Sequence, residues 1–100
     1  MASRIDLHNE LLGFSNNVYY QPPENIKMKY PCIIYNKKIP DVKKADNKTY
    51  MLTNRYEITY VTKDVENTVC DDIINHFEMI SPVNYFVTEG LYHYIFNLYY

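Results

Sequence analysis

Between Thr49 and Thr62 the chain reads TYMLTNRYEITYVT, the longest uninterrupted period-two pattern in the sequence. Tyr50, Leu52, Tyr56, Ile58 and Tyr60 fall on one parity, interrupted by Asn54, while Thr49, Thr53, Arg55, Glu57 and Thr59 fall on the other. Successive strand side chains point to opposite faces, so this stretch predicts a long β-strand with one greasy and one polar face. The greasy face needs a cover, and the sequence supplies one at once. Val65, Val69, Ile73, Phe77 and Ile80 recur at spacings of four and three, with Ile74 widening the stripe, the pattern of an amphipathic helix. A strand and the helix that covers it form the heart of a small α+β domain.

A chain of 100 residues has surface enough for one core and little to spare for a second, so residues 1–100 are expected to form a single domain. Hydrophobic residues at 47% and charged residues at 22% fit a folded globule and exclude a disordered chain. Twelve tyrosines are the anomaly. Tyrosine suits a half-buried pleated surface and sites that are apolar at one end and wet at the other, which points to sheet and interface. Charge is uneven: residues 1–54 carry eight Lys/Arg against five Asp/Glu, and residues 55–100 carry two against seven. The halves, about +3 and −5, permit head-to-tail contact between copies and argue against a globally basic nucleic-acid binder.

Taken in order, Ser3 is placed to cap a short helix with apolar positions Ile5, Leu7, Leu11 and Leu12 and a stop at Gly13. Val18-Tyr19-Tyr20 reads as a brief edge strand closed by Gln21-Pro22-Pro23. Tyr30–Tyr35 is an apolar run of strand length. The following segment, Asn36 to Lys48, holds five lysines and a proline without apolar periodicity, and 37–48 is expected as a flexible lysine-rich loop that orders against a partner. After the long strand, Asp64 is positioned to cap the second helix, which should end near Ile80-Ser81-Pro82. Asn84–Thr88 reads as a short strand and Glu89-Gly90 as a two-residue turn. The last element, LYHYIFNLYY, is apolar on one parity and mixed on the other. Such a strand belongs in the middle of a sheet or has its outer face covered by another copy. The whole is a mixed four- to five-stranded sheet with two helices on one face, ordered α-β-β-β-α-β-β.

The chemistry of catalysis is missing from the pattern. His8, His76 and His93 lie on different elements without metal-ligand spacing. Asp71 and Asp72 are adjacent on a helix and diverge, so they do not form an acid–base pair. Cys32 and Cys70 lie within predicted elements without CxxC spacing and read as reduced core thiols of a cytosolic protein. Two glycines, Gly13 and Gly90, cannot build a phosphate-cradling loop. Neither an enzyme, a cofactor nor a metal is expected. No run of apolar residues reaches the length of a secretion signal or a membrane span, so no membrane partner is expected.

The short first helix, VYYQPPENIKMKYPCIIY, the lysine-bearing segment ending ADNKTY, YEITYVTKD, a second helix and the closing LYHYIFNLYY together resemble a small tail-completion or tail-terminator protein of long-tailed bacteriophages. The likeness is nearest at Gln21–Tyr35, Tyr56–Asp64 and Leu91–Tyr100. It implies a structural virion protein, assembled in the host cytoplasm and located at the neck. Such a protein forms a ring, typically a hexamer, that ends the tail tube, contacts the tube protein on one side and the head connector on the other, and leaves a lumen for DNA. The fold it implies is an α+β sheet with helices on one side. One departure is that Ser81–Val87 carries no charge where a more charged stretch is usual. On this basis the interface would draw on Lys37, Lys38, Lys43, Lys44 and Lys48, on the acidic Glu66, Asp71, Asp72 and Glu78 of an adjacent copy, and on Tyr92, Tyr94, Tyr99 and Tyr100. The lysines would either dock on those acids or line the lumen. Two other readings stand beside it, a small nucleic-acid-binding or regulatory module using the lysine segment and a head-completion or connector-adaptor protein.

Overall fold

A computed structural model describes residues 4–23, 26–45 and 48–100, with the backbone alone described for 39–45 and 48–53. The elements run α1 (Arg4–Leu11), β1 (Val18–Tyr20), β2 (Cys32–Ala45), β3 (Lys48–Thr62), α2 (Val69–His76), β4 (Ile80–Thr88) and β5 (Leu91–Tyr99). This is the α+β class and the element order expected. The five strands form one sheet in the order β1-β2-β3-β5-β4. β1 pairs with β2 in parallel and every other neighbouring pair is antiparallel. β3 and β4 both run against β5 and are therefore parallel to each other, with α2 linking them across the inserted β5.

The long amphipathic strand is β3, and its greasy parity is the core face. Tyr56, Ile58 and Tyr60 stand opposite Lys37, Tyr35 and Ile33 of β2 and opposite Leu98, Phe96 and Tyr94 of β5. Both helices lie on this face: Leu7 and Leu11 from α1 and Ile73 and Phe77 from α2 join the buried cluster. Each fully buried aliphatic or aromatic side chain contributes about 1.5–3 kcal/mol through loss of water contact. Leu7 and Leu11, one helical turn apart, are the two positions α1 turns inward, whereas Ile5 and Leu12 face solvent. The helix closes where Gly13 donates its N–H to the Glu10 carbonyl at 3.1 Å. The expected cap, Ser3, lies outside the described residues.

Three expectations are corrected. First, the segment taken for a loop is strand as far as Ala45, in register with β3 down to Ala45 opposite Lys48. Its order comes from backbone pairing with β3, which needs no apolar period in the side chains. Pro40 is accommodated where the register slips between Lys38 and Asp41, a bulge in which one lost N–H breaks no ladder bond. Second, α2 is shorter than the apolar stripe suggests. Val65 is exposed, Asp64 does not cap, and the helix starts after Thr68, with the Cys70 N–H donating to the Asn67 side-chain oxygen at 3.4 Å. Third, Ser81-Pro82 does not stop a helix but lies inside β4, which begins at Ile80. Pro82 fits there because β4 is an edge strand with an irregularity between Pro82 and Asn84.

The two-residue connection at Glu89-Gly90 is as expected. Both residues have positive φ, 51° and 75°, the backbone of a type I′ hairpin, whose twist matches that of the strands it joins. Among the described residues no helix is long and apolar enough to cross a membrane. The molecule measures 50 × 28 × 24 Å, its long axis reflecting the β2–β3 hairpin that continues past β1 on one side and β5 on the other.

Candidate interaction surface

The sheet has one covered face and two edges, and they are finished very differently. On the covered face Tyr35 is the polar focus. Its hydroxyl accepts from Arg4 Nη1 at 3.1 Å and lies 2.7 Å from His8 Nδ1. The Arg4 guanidinium also sits 4.5 Å above the Tyr20 ring. These contacts fasten α1 to β1 and β2, and burial raises the Tyr35 phenol above its ordinary value against the lowering effect of Arg4. A second polar knot ties both helices to β5. His76 Nε2 lies 2.8 Å from Glu10 Oε1, and the Tyr100 hydroxyl donates to Glu10 Oε2. Burial first, and the neighbouring Glu10 second, push the Tyr100 phenol up to about 12. Both knots join elements of one chain and serve the fold.

At the β4 edge the finish is absent. Eight of the nine β4 residues are exposed, and Val83, Tyr85 and Val87 remain 54%, 51% and 50% accessible. Phe86, on the uncovered face, stacks on His93 with centroids 4.5 Å apart, and Tyr85 packs on Tyr94 at 4.9 Å. The I′ turn makes Thr88 and Leu91 the closing pair, so the alternation of the antiparallel ladder turns the N–H and C=O groups of Tyr85 and Val87 away from β5. The Tyr85 N–H is taken by the Asn84 side-chain oxygen at 2.8 Å; the other outward groups leave an uncharged, largely apolar strand that is a template for another strand. Behind it, between α2 and β4, lies a groove of about 540 Å³ lined by Cys70, Ile74, Val83, Tyr85, Tyr94 and Phe96. Tyr94, Cys70 and Asp71 also line a larger hollow of about 700 Å³, where the walls include Asp64 and Glu66. Apolar groove and acidic hollow therefore share a wall at Cys70, Asp71 and Tyr94.

The residues expected at an interface divide between opposite sides of the sheet. Glu66, Asp71, Asp72 and Glu78 are exposed along α2 and its flanking turns, next to β4. Lys37 and Lys38 are exposed on β2, three strand positions away or about 14 Å at the usual strand spacing. Lys43 and Lys44 lie on the projecting part of β2 and Lys48 opens β3; their side chains lie outside the described residues. Within one chain, then, these basic and acidic groups are kept apart. Tyr92 and Tyr94 sit on the covered face of β5 and stack on Tyr85. Tyr100 is held by Glu10 and Phe77, which makes it an internal residue of the fold and not a free contact. Tyr99 stands opposite Arg55 on the uncovered face.

The sequence reading did not name Val83, Tyr85, Phe86 and Val87 as interface residues. The available signal was the charge-free run Ser81–Val87. Among the described residues no three His, Cys, Asp or Glu side chains gather as metal ligands. Burial pushes the thiols of Cys32 and Cys70 up to about 11, which leaves them largely protonated and poorly nucleophilic at neutral pH. Compared with protein-family models, curated proteins and solved structures, the chain matches none.

Proposed function

We propose that this chain is a structural subunit of a long-tailed bacteriophage particle, forming a ring at the head-proximal end of the tail tube that terminates the tail and joins it to the head connector. The observation that carries the reading is the β4 edge, an apolar strand of nine residues without cover, backed by a groove and flanked by acids. A monomer exposing such a strand is prone to edge association, and a subunit of an assembly uses the same surface productively. The separation of lysines and acids to opposite sides of the sheet supports contact between unlike surfaces of successive copies, the geometry that closes a ring. The sequence resemblance supplies the biological setting.

The test is the mass of the protein in solution across a concentration series, by light scattering coupled to gel filtration. A ring of about six copies of the 12.0 kDa chain has a mass of about 72 kDa. A monomer that also fails to bind purified tail tubes overturns the reading.

One observation favours a second reading, a nucleic-acid module. Lys38 stands directly opposite Arg55 on the uncovered face, a like-charge pair that an anion would stabilise. Phosphate binding there would weaken steeply with salt; binding that is absent at low salt removes this alternative.

A further inference from the structure

The β4 edge needs a partner strand, and the same fold displays one. β1 covers β2 only from Ile33 to Tyr35. The Lys37 N–H on the side of β2 away from β3 is taken by the Gln21 side chain, and from Lys38 to Ala45 that side has no strand neighbour among the described residues. We propose that β4 of one copy adds to this free stretch of β2 in the next, so that copies join head to tail through a continuous sheet. The inference rests on the ring reading and names its junction.

Four observations select this pairing. The two stretches are similar in length, nine residues in β4 and eight in the free part of β2, Lys38 to Ala45. Within a chain β2 and β4 run in opposite directions, so two copies in the same orientation meet with these strands antiparallel, the more favourable ladder. Charge is complementary: the β2 stretch, with Lys37 just before it, carries Lys38, Lys43 and Lys44, while β4 is bracketed by Glu78 and Glu89 and backed by Asp71 and Asp72. Finally, Lys38 and Arg55 are cross-strand neighbours of like sign, and Arg55 Nε is buried without a hydrogen-bond partner among the described residues. An incoming carboxylate relieves the repulsion.

The competing arrangement is β4 against β4 about a twofold axis. Antiparallel pairing centred on Asn84 would set Glu78 of one copy close to Glu89 of the other, twice over, and β4 itself carries no Lys or Arg. Like charges across a junction disfavour it. The β4–β2 pairing uses two different surfaces and so can repeat around a ring.

Two variants decide the matter. The first blocks β4, as Val87→Pro, which removes an outward N–H without touching the β4–β5 ladder, and in a second form as Tyr85→Lys with Val87→Lys, which keeps every backbone group. The other reverses charge on β2, at Lys37→Glu, Lys38→Glu, Lys43→Glu and Lys44→Glu. Circular-dichroism melting should show each variant folded, with a melting temperature near that of the natural chain. Expected results are monomers for each variant alone and a dimer for their equimolar mixture, because one intact β4 meets one intact β2 and growth stops there. Rings that persist with either β4 block overturn the proposal and leave the ring reading standing. A β2 variant that associates with itself as strongly as the natural chain does overturns it in favour of the twofold contact. A dimer from the mixture, together with open filaments and no ring from the natural chain, upholds the β4–β2 junction and overturns the ring.

Discussion

The sheet ends in β1 on one side and β4 on the other, and the two edges differ in nearly every respect. β1 is three residues long. Beyond it the Gln21 backbone donates to the Tyr35 carbonyl at 3.0 Å, and the Gln21 side chain accepts from the Lys37 N–H at 3.2 Å. At its start Ser15 and Asn17 side chains both donate to the Pro31 carbonyl, at 3.0 and 3.1 Å. Pro22 and Pro23 then prevent any extension of the strand. β4, three times as long, has Pro82 and its adjacent irregularity near its beginning and the Asn84 side chain on the Tyr85 N–H as protection among the described residues. The contrast teaches that β1 itself is closed by side-chain hydrogen bonds and prolines, whereas β4, apart from the Asn84 cap on Tyr85, and β2 beyond Lys37 are left to be finished from outside. It also separates two kinds of energy. The buried core of the single chain lies on β2, β3 and β5 and the helices that cover them, and the exposed apolar strand is β4.

The largest effect should come from the stability side. Ile58→Ala removes a fully buried side chain from the middle of β3 and should cost about 3 kcal/mol in urea unfolding, through lost transfer free energy and the cavity left behind. A loss no greater than that of a surface substitution would break the comparison at its root. Tyr35→Phe deletes the hydroxyl shared by Arg4 and His8 and should cost about 1–2 kcal/mol, because partly buried groups lose their partner.

Smaller effects sharpen the edges themselves. Gln21→Ala should lower stability by about 0.5–1 kcal/mol, the size of one hydrogen bond, and speed hydrogen exchange at the Lys37 amide. In the natural monomer that amide should exchange more slowly than that of Val87. Equal rates at the two edges would mean that β4 is protected within the single chain.

The mildest test uses pH. The Tyr100 phenol is held at about 12 against about 10 for a free tyrosine, so the fold favours the neutral form. Its stabilising contribution is complete below pH 10 and is lost as pH rises toward 12. Alkaline unfolding of Tyr100→Phe should therefore lack the part of the slope over that window that the natural chain shows. Identical slopes would remove the Glu10–Tyr100 contact as a tie between α1 and β5.

Much of the fold was legible because burial imposes a period. Tyr56, Ile58 and Tyr60 announced the core face of β3, Ile73 and Phe77 announced the helix that covers it, and Glu89-Gly90 announced its turn through the positive φ that glycine adopts readily. The unreadable parts are those where burial imposes no period. The later part of β2 reads as a loop, since its order comes from backbone pairing with β3, which side-chain pattern does not encode. Val65 and Ile80 lie at helical spacing with the true helix and extend its apparent stripe at both ends, although the chain leaves the helix after His76. The charged half of the candidate surface was readable as composition. Its apolar half was not, because Val83, Tyr85 and Val87 look like any buried strand until their exposure is known.

By itself the sequence determined that strand and helix alternate with a shared apolar face, that the chain turns at Gly90, and that positive charge gathers early and negative charge late. Local periodicity and backbone sterics act over a few residues, and a few residues are enough to specify them. Only the tertiary structure decided that β5 inserts between β3 and β4, which displaces β4 to an edge and places the acids of α2 on the side away from the lysines of β2. Those outcomes depend on which strands pair across long separations, a choice made by the packing of the whole core and not by any one segment.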